Sequence, residues 1–134
     1  MNYNNLSRYV LTCFILFSST AMAKNTVQGC EEKMATTTEL SRCLDDIKEK
    51  KDRELQTWVN NQTFILEELA ASNGRRATIN MFKRSQRNFI SYRENNCRWQ
   101  YLVKTPDPSA ASAFKKCYIT LTQYRIEELS SLND

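Results

Sequence analysis

Cys13, Cys30, Cys43, Cys97 and Cys117 are the side chains of this sequence best suited to bond formation or metal binding. Cys13 falls in an apolar run near the start. The other four are 13, 54 and 20 positions apart, with no Cys-x-x-Cys and no histidine anywhere in the 134 residues. A structural zinc site favours close ligand pairs and often histidine. The four therefore read as two disulfides, and no metal or other cofactor is expected. Without histidine the chain lacks the usual general base near neutral pH, so no Ser-His or Cys-His nucleophile can be assembled. Glu67 and Glu68 are neighbouring carboxylates. On a helix they point about 100° apart and do not converge on one substrate bond. The chemistry available is bridging and binding, so the chain is not expected to be an enzyme.

The first residues have a different purpose. Met1 to Arg8 is polar with one basic residue, Tyr9 to Phe17 is almost unbroken apolar, and Ala21-Met22-Ala23 precedes Lys24. That is the three-part plan of a secretory signal with small residues at the cleavage site. The run is too short for a span, which needs ~20 apolar residues. A lipid anchor would need a cysteine just after the run; Cys13 lies inside it and Cys30 lies beyond a charged residue. Residues 1–23 are expected to be a cleaved signal peptide and 24–134 a single domain. The product is expected to be periplasmic or secreted, with no stable membrane insertion after cleavage. Export and the lack of a recognised motif argue against a nucleic-acid partner.

Three helices must position the cysteines. Lys24 to Ala35 reads as a short polar lead. Thr36 and Glu39 have capping-box spacing. Apolar residues then recur at Leu40, Leu44, Ile47, Leu55, Trp58, Val59, Ile65, Leu66 and Leu69, one stripe on a long helix that ends near Ser72-Asn73-Gly74. A second helix is predicted from about Arg76 to Val103, with Ile79, Phe82, Phe89, Tyr92 and Trp99 inward and Met81 and Leu102 beside them. Lys104-Thr105-Pro106-Asp107-Pro108 stops it. Ser109 can cap a third helix whose apolar residues are Ala113, Phe114, Cys117, Leu121, Tyr124, Leu129 and Leu132. The fold class is all-α, an antiparallel three-helix bundle braced by two disulfides. All four cysteines then fall at one end. Three connectivities are open; Cys30–Cys43 with Cys97–Cys117 is favoured, because each bridge clamps a segment to its nearest helix.

The stretch Gln86-Arg87-Asn88-Phe89-Ile90-Ser91-Tyr92-Arg93-Glu94-Asn95-Asn96-Cys97 carries a Gln-Arg, an aromatic, and an aromatic-Arg-acidic-x-x-Cys. Cys30 and Cys43 flank Met34, and Cys117 is followed by Thr122 and Arg125-Ile126-Glu127-Glu128-Leu129. Together these resemble the LprI-type lysozyme-inhibitor family, small secreted or periplasmic helical proteins of bacteria, over nearly all of residues 30–132. Two positions depart from the pattern. Phe89 stands where tryptophan is usual, and Pro106 and Pro108 occupy a link that is often glycine-rich. The resemblance implies inhibition of lysozyme, or of another peptidoglycan hydrolase, by a protein that blocks its target's surface. A periplasmic immunity protein against a wall-degrading toxin and an envelope or adhesion accessory are the other readings.

Tyr92, Arg93, Glu94 and Arg125 match the family motif and read as structural, with Arg93 beside Asp45 or Glu49 of the first helix. Trp58 reads as core. Trp99 and Tyr101 are two apart and cannot both face inward; Tyr101 is the expected surface aromatic, a type favoured in binding patches. Tyr101 and the link Thr105, Pro106, Asp107 and Pro108 form the expected partner contact. Charge is uneven: residues 24–74 hold seven basic and ten acidic side chains, and residues 75–134 hold eleven and five. A strongly basic lysozyme is thus not drawn in by the second half, and only the acidic side of the first helix could steer towards it.

Overall fold

The computed structural model describes residues 26–133. The expected signal peptide, Cys13 included, lies outside the described residues. Among those residues the chain folds as four α-helices and no strand. The count exceeds the expected three because the lead is itself helical: α1 spans Val27–Lys33. Thr26 caps it, its hydroxyl oxygen accepting the Gly29 N–H at 3.0 Å. Seven residues do not hold a helix in water unaided. Packing does it here, since Cys30 is fully buried with Leu44, Ile47 and Ile119, and Val27 packs against that cluster.

α2 spans Thr37–Asn73, 37 residues, or about 55 Å. Its first turn carries the expected capping box. The Thr36 hydroxyl accepts the Glu39 N–H at 3.2 Å, and the Glu39 carboxylate accepts the Thr36 N–H at 3.1 Å. Gly74 ends the helix at φ 72°, a left-handed conformation that glycine adopts without steric cost. α3 follows at Arg76–Lys104 and stops at the cis Thr105–Pro106 peptide. α4 spans Ala110–Ser130, followed by a 3₁₀ turn, Ser131–Asn133. The expected cap by the Ser109 side chain is absent. Instead the Ser109 N–H donates to the Asp107 carboxylate at 2.7 Å.

α4 packs along both α2 and α3. The apolar core forms two clusters. One is the α1 cluster above; the other joins Leu55, Ile126 and Leu129, with Trp58, Val59, Phe82 and Phe89 packed against it. Several side chains expected inside lie outside. Tyr92 and Trp99 are each 55% exposed, and Tyr124 and Leu132 each 63%. The buried positions of α3 are Ile79, Arg93 and Cys97, and α4 buries Tyr118, Ile119, Thr122, Arg125, Ile126 and Leu129. Apolar counting misplaced both faces because arginine, tyrosine and threonine hold central positions on the inner ones.

Cys30 bonds Cys43 and Cys97 bonds Cys117, with Cα–Cα separations of 5.9 and 5.5 Å. The first ties α1 to α2 and the second ties α3 to α4, both at the same end of the bundle. No described helix is long and apolar enough to cross a membrane. Closing short loops of this kind stabilises by roughly 3 kcal/mol per bridge in the chain-entropy account. Exported protein should therefore show no alkylatable thiol without reductant, and reduction should lower its melting temperature by several degrees. Four thiols that react in the native protein would contradict the bridges.

Candidate binding surface

A polar layer lies between the two apolar clusters and sets the helices against one another. Its centre is Arg93 of α3, only 5% exposed. One terminal nitrogen, Nη1, donates to Asp52 Oδ1 of α2 at 3.1 Å and to Thr122 Oγ1 of α4 at 2.7 Å. The guanidinium carbon sits 3.7 Å from the ring centroid of Tyr118, a cation–π contact, and 5.4 Å from that of Phe89. The Tyr118 hydroxyl donates to Asp52 Oδ1 at 3.1 Å. Lys48 Nζ reaches Asp52 Oδ2 at 3.3 Å and lies 4.3 Å from the Tyr118 ring. One carboxylate thus serves two cations and a phenol.

Arg93 was expected beside Asp45 or Glu49. Both are engaged elsewhere: Asp45 pairs with Lys115 at 2.7 Å and Glu49 with Arg53 at 3.7 Å. Asp52, one to two turns further along α2, is level with Arg93. Arg125 makes a second, smaller polar junction. Its Nε donates to Gln86 Oε1 at 3.2 Å, and its Nη1 to Glu128 at 2.7 Å. Of the remaining motif residues, Tyr92 is exposed, and Glu94 faces Arg98 at 3.3 Å on the surface. The motif thus divides into an inner set that joins helices and an outer pair that does not.

The layer holds the braced end in place, and there the chain presents its link. Thr105, Pro106, Asp107 and Pro108 are all exposed, and Tyr101 is 38% exposed one turn earlier. The link is internally tied. Thr105 returns both its N–H and its hydroxyl to the Tyr101 carbonyl, each at 3.0 Å, and the Asp107 N–H bonds the Lys104 carbonyl at 2.8 Å. Hydrogen bonds from the Ser109 hydroxyl and amide, with the nearby charge of Lys104, hold the Asp107 carboxyl below the usual aspartate range. Two shallow hollows flank this segment. One, of about 340 Å³, is lined by Arg98, Tyr101, Ala111 and Phe114. The other, of about 250 Å³, includes Thr38, Ser41, Arg42, Pro108 and Ala111. Trp99, 55% exposed, and Leu102 and Val103, 61% and 75% exposed, add apolar area near the same end. Their exposure was not legible in the sequence, which placed Trp99 inside.

No group of three or more metal-binding side chains occurs among the described residues, and no paired carboxylates converge at the hollows. What the geometry offers is an exposed loop tied by its own hydrogen bonds, beside apolar and cationic side chains on a disulfide-braced helical scaffold. The model of the family described as lysozyme inhibitor LprI matches residues 30–129. The chain belongs to this family. No curated protein and no solved structure matches it.

Burial pushes the Tyr118 hydroxyl up to about 12, with Asp52 adding to the rise and Arg93 opposing it. A folded value raised above the unfolded one gives stability that is whole below the unfolded pKa, about 10, and is lost as pH climbs through the folded value. In a phenolate absorbance titration Tyr118 should ionise last, with unfolding close behind. Tyr118→Phe should remove that late step; a late step that persists in the variant would exclude Tyr118 as its source.

Proposed function

We propose that this protein acts outside the cytoplasm as a binding protein of the lysozyme-inhibitor type, which covers the surface of a peptidoglycan hydrolase and performs no chemistry of its own. The observation that carries the reading is membership of the lysozyme-inhibitor family over residues 30–129. The two disulfides suit an oxidising compartment, and the signal-like pattern of residues 1–23 in the sequence suits the same setting. The contact surface is the link of Thr105, Pro106, Asp107 and Pro108 with Tyr101 beside it. A loop held by its own hydrogen bonds and two prolines loses little conformational entropy on docking. Tyr101 supplies an aromatic anchor, the kind of residue that carries much of the energy of protein interfaces. Arg98, Arg42 and Lys104 around the hollows give the surface a cationic rim. Glycosidases that cut wall glycans carry paired carboxylates in an open cleft, so such a rim gains short-range attraction there even where the whole enzyme is basic.

Protein purified after export should slow the lysis of cell-wall suspensions by at least one lysozyme or by a wall hydrolase of the producer. Tyr101→Ala combined with Pro106→Gly and Pro108→Gly should weaken inhibition by about tenfold or more, a loss of at least ~1.4 kcal/mol. Circular dichroism of the variant must remain helical, because replacing proline also changes the unfolded chain. If no hydrolase is inhibited at large molar excess, the inhibitor reading is wrong. If inhibition survives the substitutions, the activity stands and this surface is not its seat.

A further inference from the structure

Three of the aromatic side chains that face outward stand along the border of α3 and α4. Ser85, Tyr92 and Trp99 are seven apart in succession, which puts them on one line of α3. Ser85 Oγ accepts a hydrogen bond from Arg125 of α4 at 3.3 Å, so that line borders α4. Tyr124 lies next to Arg125 and seven residues beyond Cys117, which bonds Cys97 of α3, so it borders α3 in turn. Tyr92 and Trp99 are each 55% exposed and Tyr124 63%. Two turns of helix set Tyr92 and Trp99 about 10 Å apart. Trp99 is also held: its Nε1 donates to Asn96 Oδ1 at 3.2 Å, and Asn96 Nδ2 donates to Cys117 Sγ at 3.7 Å. An exposed indole is thus oriented, through one amide, by the disulfide.

The polar side chains beside these rings are amides, and the unpaired charge beyond them is of one sign. Asn88 and Asn95 stand one turn before Tyr92 and Trp99. Both are exposed, and among the described residues neither side chain has a hydrogen-bond partner. α3 carries seven basic side chains against one acidic, Glu94, and Glu94 is itself paired with Arg98 at 3.3 Å. Arg84 and Arg87 are exposed, in no ion pair among the described residues, and lie on the side of the aromatic line away from α4. On α4, Glu128, one turn beyond Tyr124, is held by Arg125 at 2.7 Å.

We propose that this face binds the glycan of the cell wall, an extended chain of N-acetylated sugars whose stem peptides carry carboxylates. Each pyranose has an apolar C–H face, which packs on a flat aromatic ring and covers area that otherwise stays in water. The Tyr92–Trp99 spacing is close to the length of one β-linked disaccharide, so successive units meet successive rings. Asn88 and Asn95, each with donors and an acceptor, take the hydroxyl and acetamido groups between the rings. Charge complementarity selects an acidic chain, with Arg84 and Arg87 pairing with its carboxylates. A membrane surface fits less well, because the asparagines beside the rings would leave water without partners. Trp99 and Tyr101 are two apart on α3 and point about 200° apart, so the glycan and a protein at the Thr105–Pro108 link do not compete for one face. Wall binding keeps this protein on the polymer that its proposed target cuts. That consequence rests on the inhibitor reading, whereas the binding itself requires no hydrolase.

Cosedimentation of the protein purified after export with purified peptidoglycan sacculi, stripped of protein and attached polymers, tests this. The protein should pellet with the sacculi, and saturably. Tyr92→Ala and Trp99→Ala, both at exposed positions, should each weaken binding by about tenfold or more with unchanged circular dichroism. Arg84→Glu together with Arg87→Glu should weaken it as well, as should added salt or conversion of the sacculus carboxylates to amides. A protein that stays in the supernatant, or one whose pelleting is indifferent to both aromatic substitutions, overturns the proposal. So does a protein that binds chitin, an uncharged chain, as tightly as sacculi, or that sediments instead with phosphatidylglycerol vesicles through Tyr92 and Trp99.

Discussion

A guanidinium almost out of reach of water sits where three helices meet. Arg93 leaves α3, bonds Asp52 on α2, and lies against Tyr118 and beside Thr122 on α4. Taking such a charge out of water costs several kcal/mol, and only well-placed partners offset that cost. The requirement is positional. Sliding α3 by one residue would carry Arg93 away from its carboxylate and leave a buried cation unpaired. The apolar clusters on either side tolerate small shifts, since leucine and isoleucine accept one another's places. The polar layer does not, and so it sets the register that the rest of the bundle follows. Thr122 ties the layer to the backbone of α4, its hydroxyl donating a hydrogen bond to the Tyr118 carbonyl at 2.7 Å.

From this layer the molecule differs in its two directions. Towards the cysteines it is closed, with α1 bonded to α2, α3 bonded to α4, and the Thr105–Pro108 link held by its own hydrogen bonds. Towards Gly74 it thins to two helices, with Leu66 of α2 and Ile79 of α3 buried. The proposed contact surface lies at the stiff, closed end, where docking would spend little free energy on ordering. Lys115 of α4 reinforces the closed end by donating to the Ser41 hydroxyl and the Asp45 carboxylate of α2.

Much of this frame was legible in the residues. The Thr36–Glu39 box, Gly74 and the Pro106–Pro108 link mark helix limits through local chemistry alone, and local chemistry needs no knowledge of the fold. The family motif, by contrast, pointed to Arg93 without naming its partner, because Asp45, Glu49 and Asp52 are all on the same helix and only its axial level against α3 selects one. α1 was missed because nothing in seven residues besides Thr26 signals a helix; burial of Cys30 and Val27 against α2 makes it. The inner faces of α3 and α4 were misread for the reason that makes the layer important: where a buried position holds arginine, tyrosine or threonine, counting apolar residues turns the helix towards its outer aromatics, here Tyr92, Trp99 and Tyr124.

The keystone role of Arg93 is most directly tested by a double-mutant cycle on urea unfolding. Asp52→Ala strands the buried cation and should cost about 1–3 kcal/mol, less than for a fully buried pair because Asp52 is about a third exposed. Arg93→Met removes the cation and fills its space, leaving Asp52 with Lys48 and Tyr118, and should cost less. The double variant should then be more stable than Asp52→Ala alone, since the stranded charge is gone. Losses that simply add in the double variant would contradict the account.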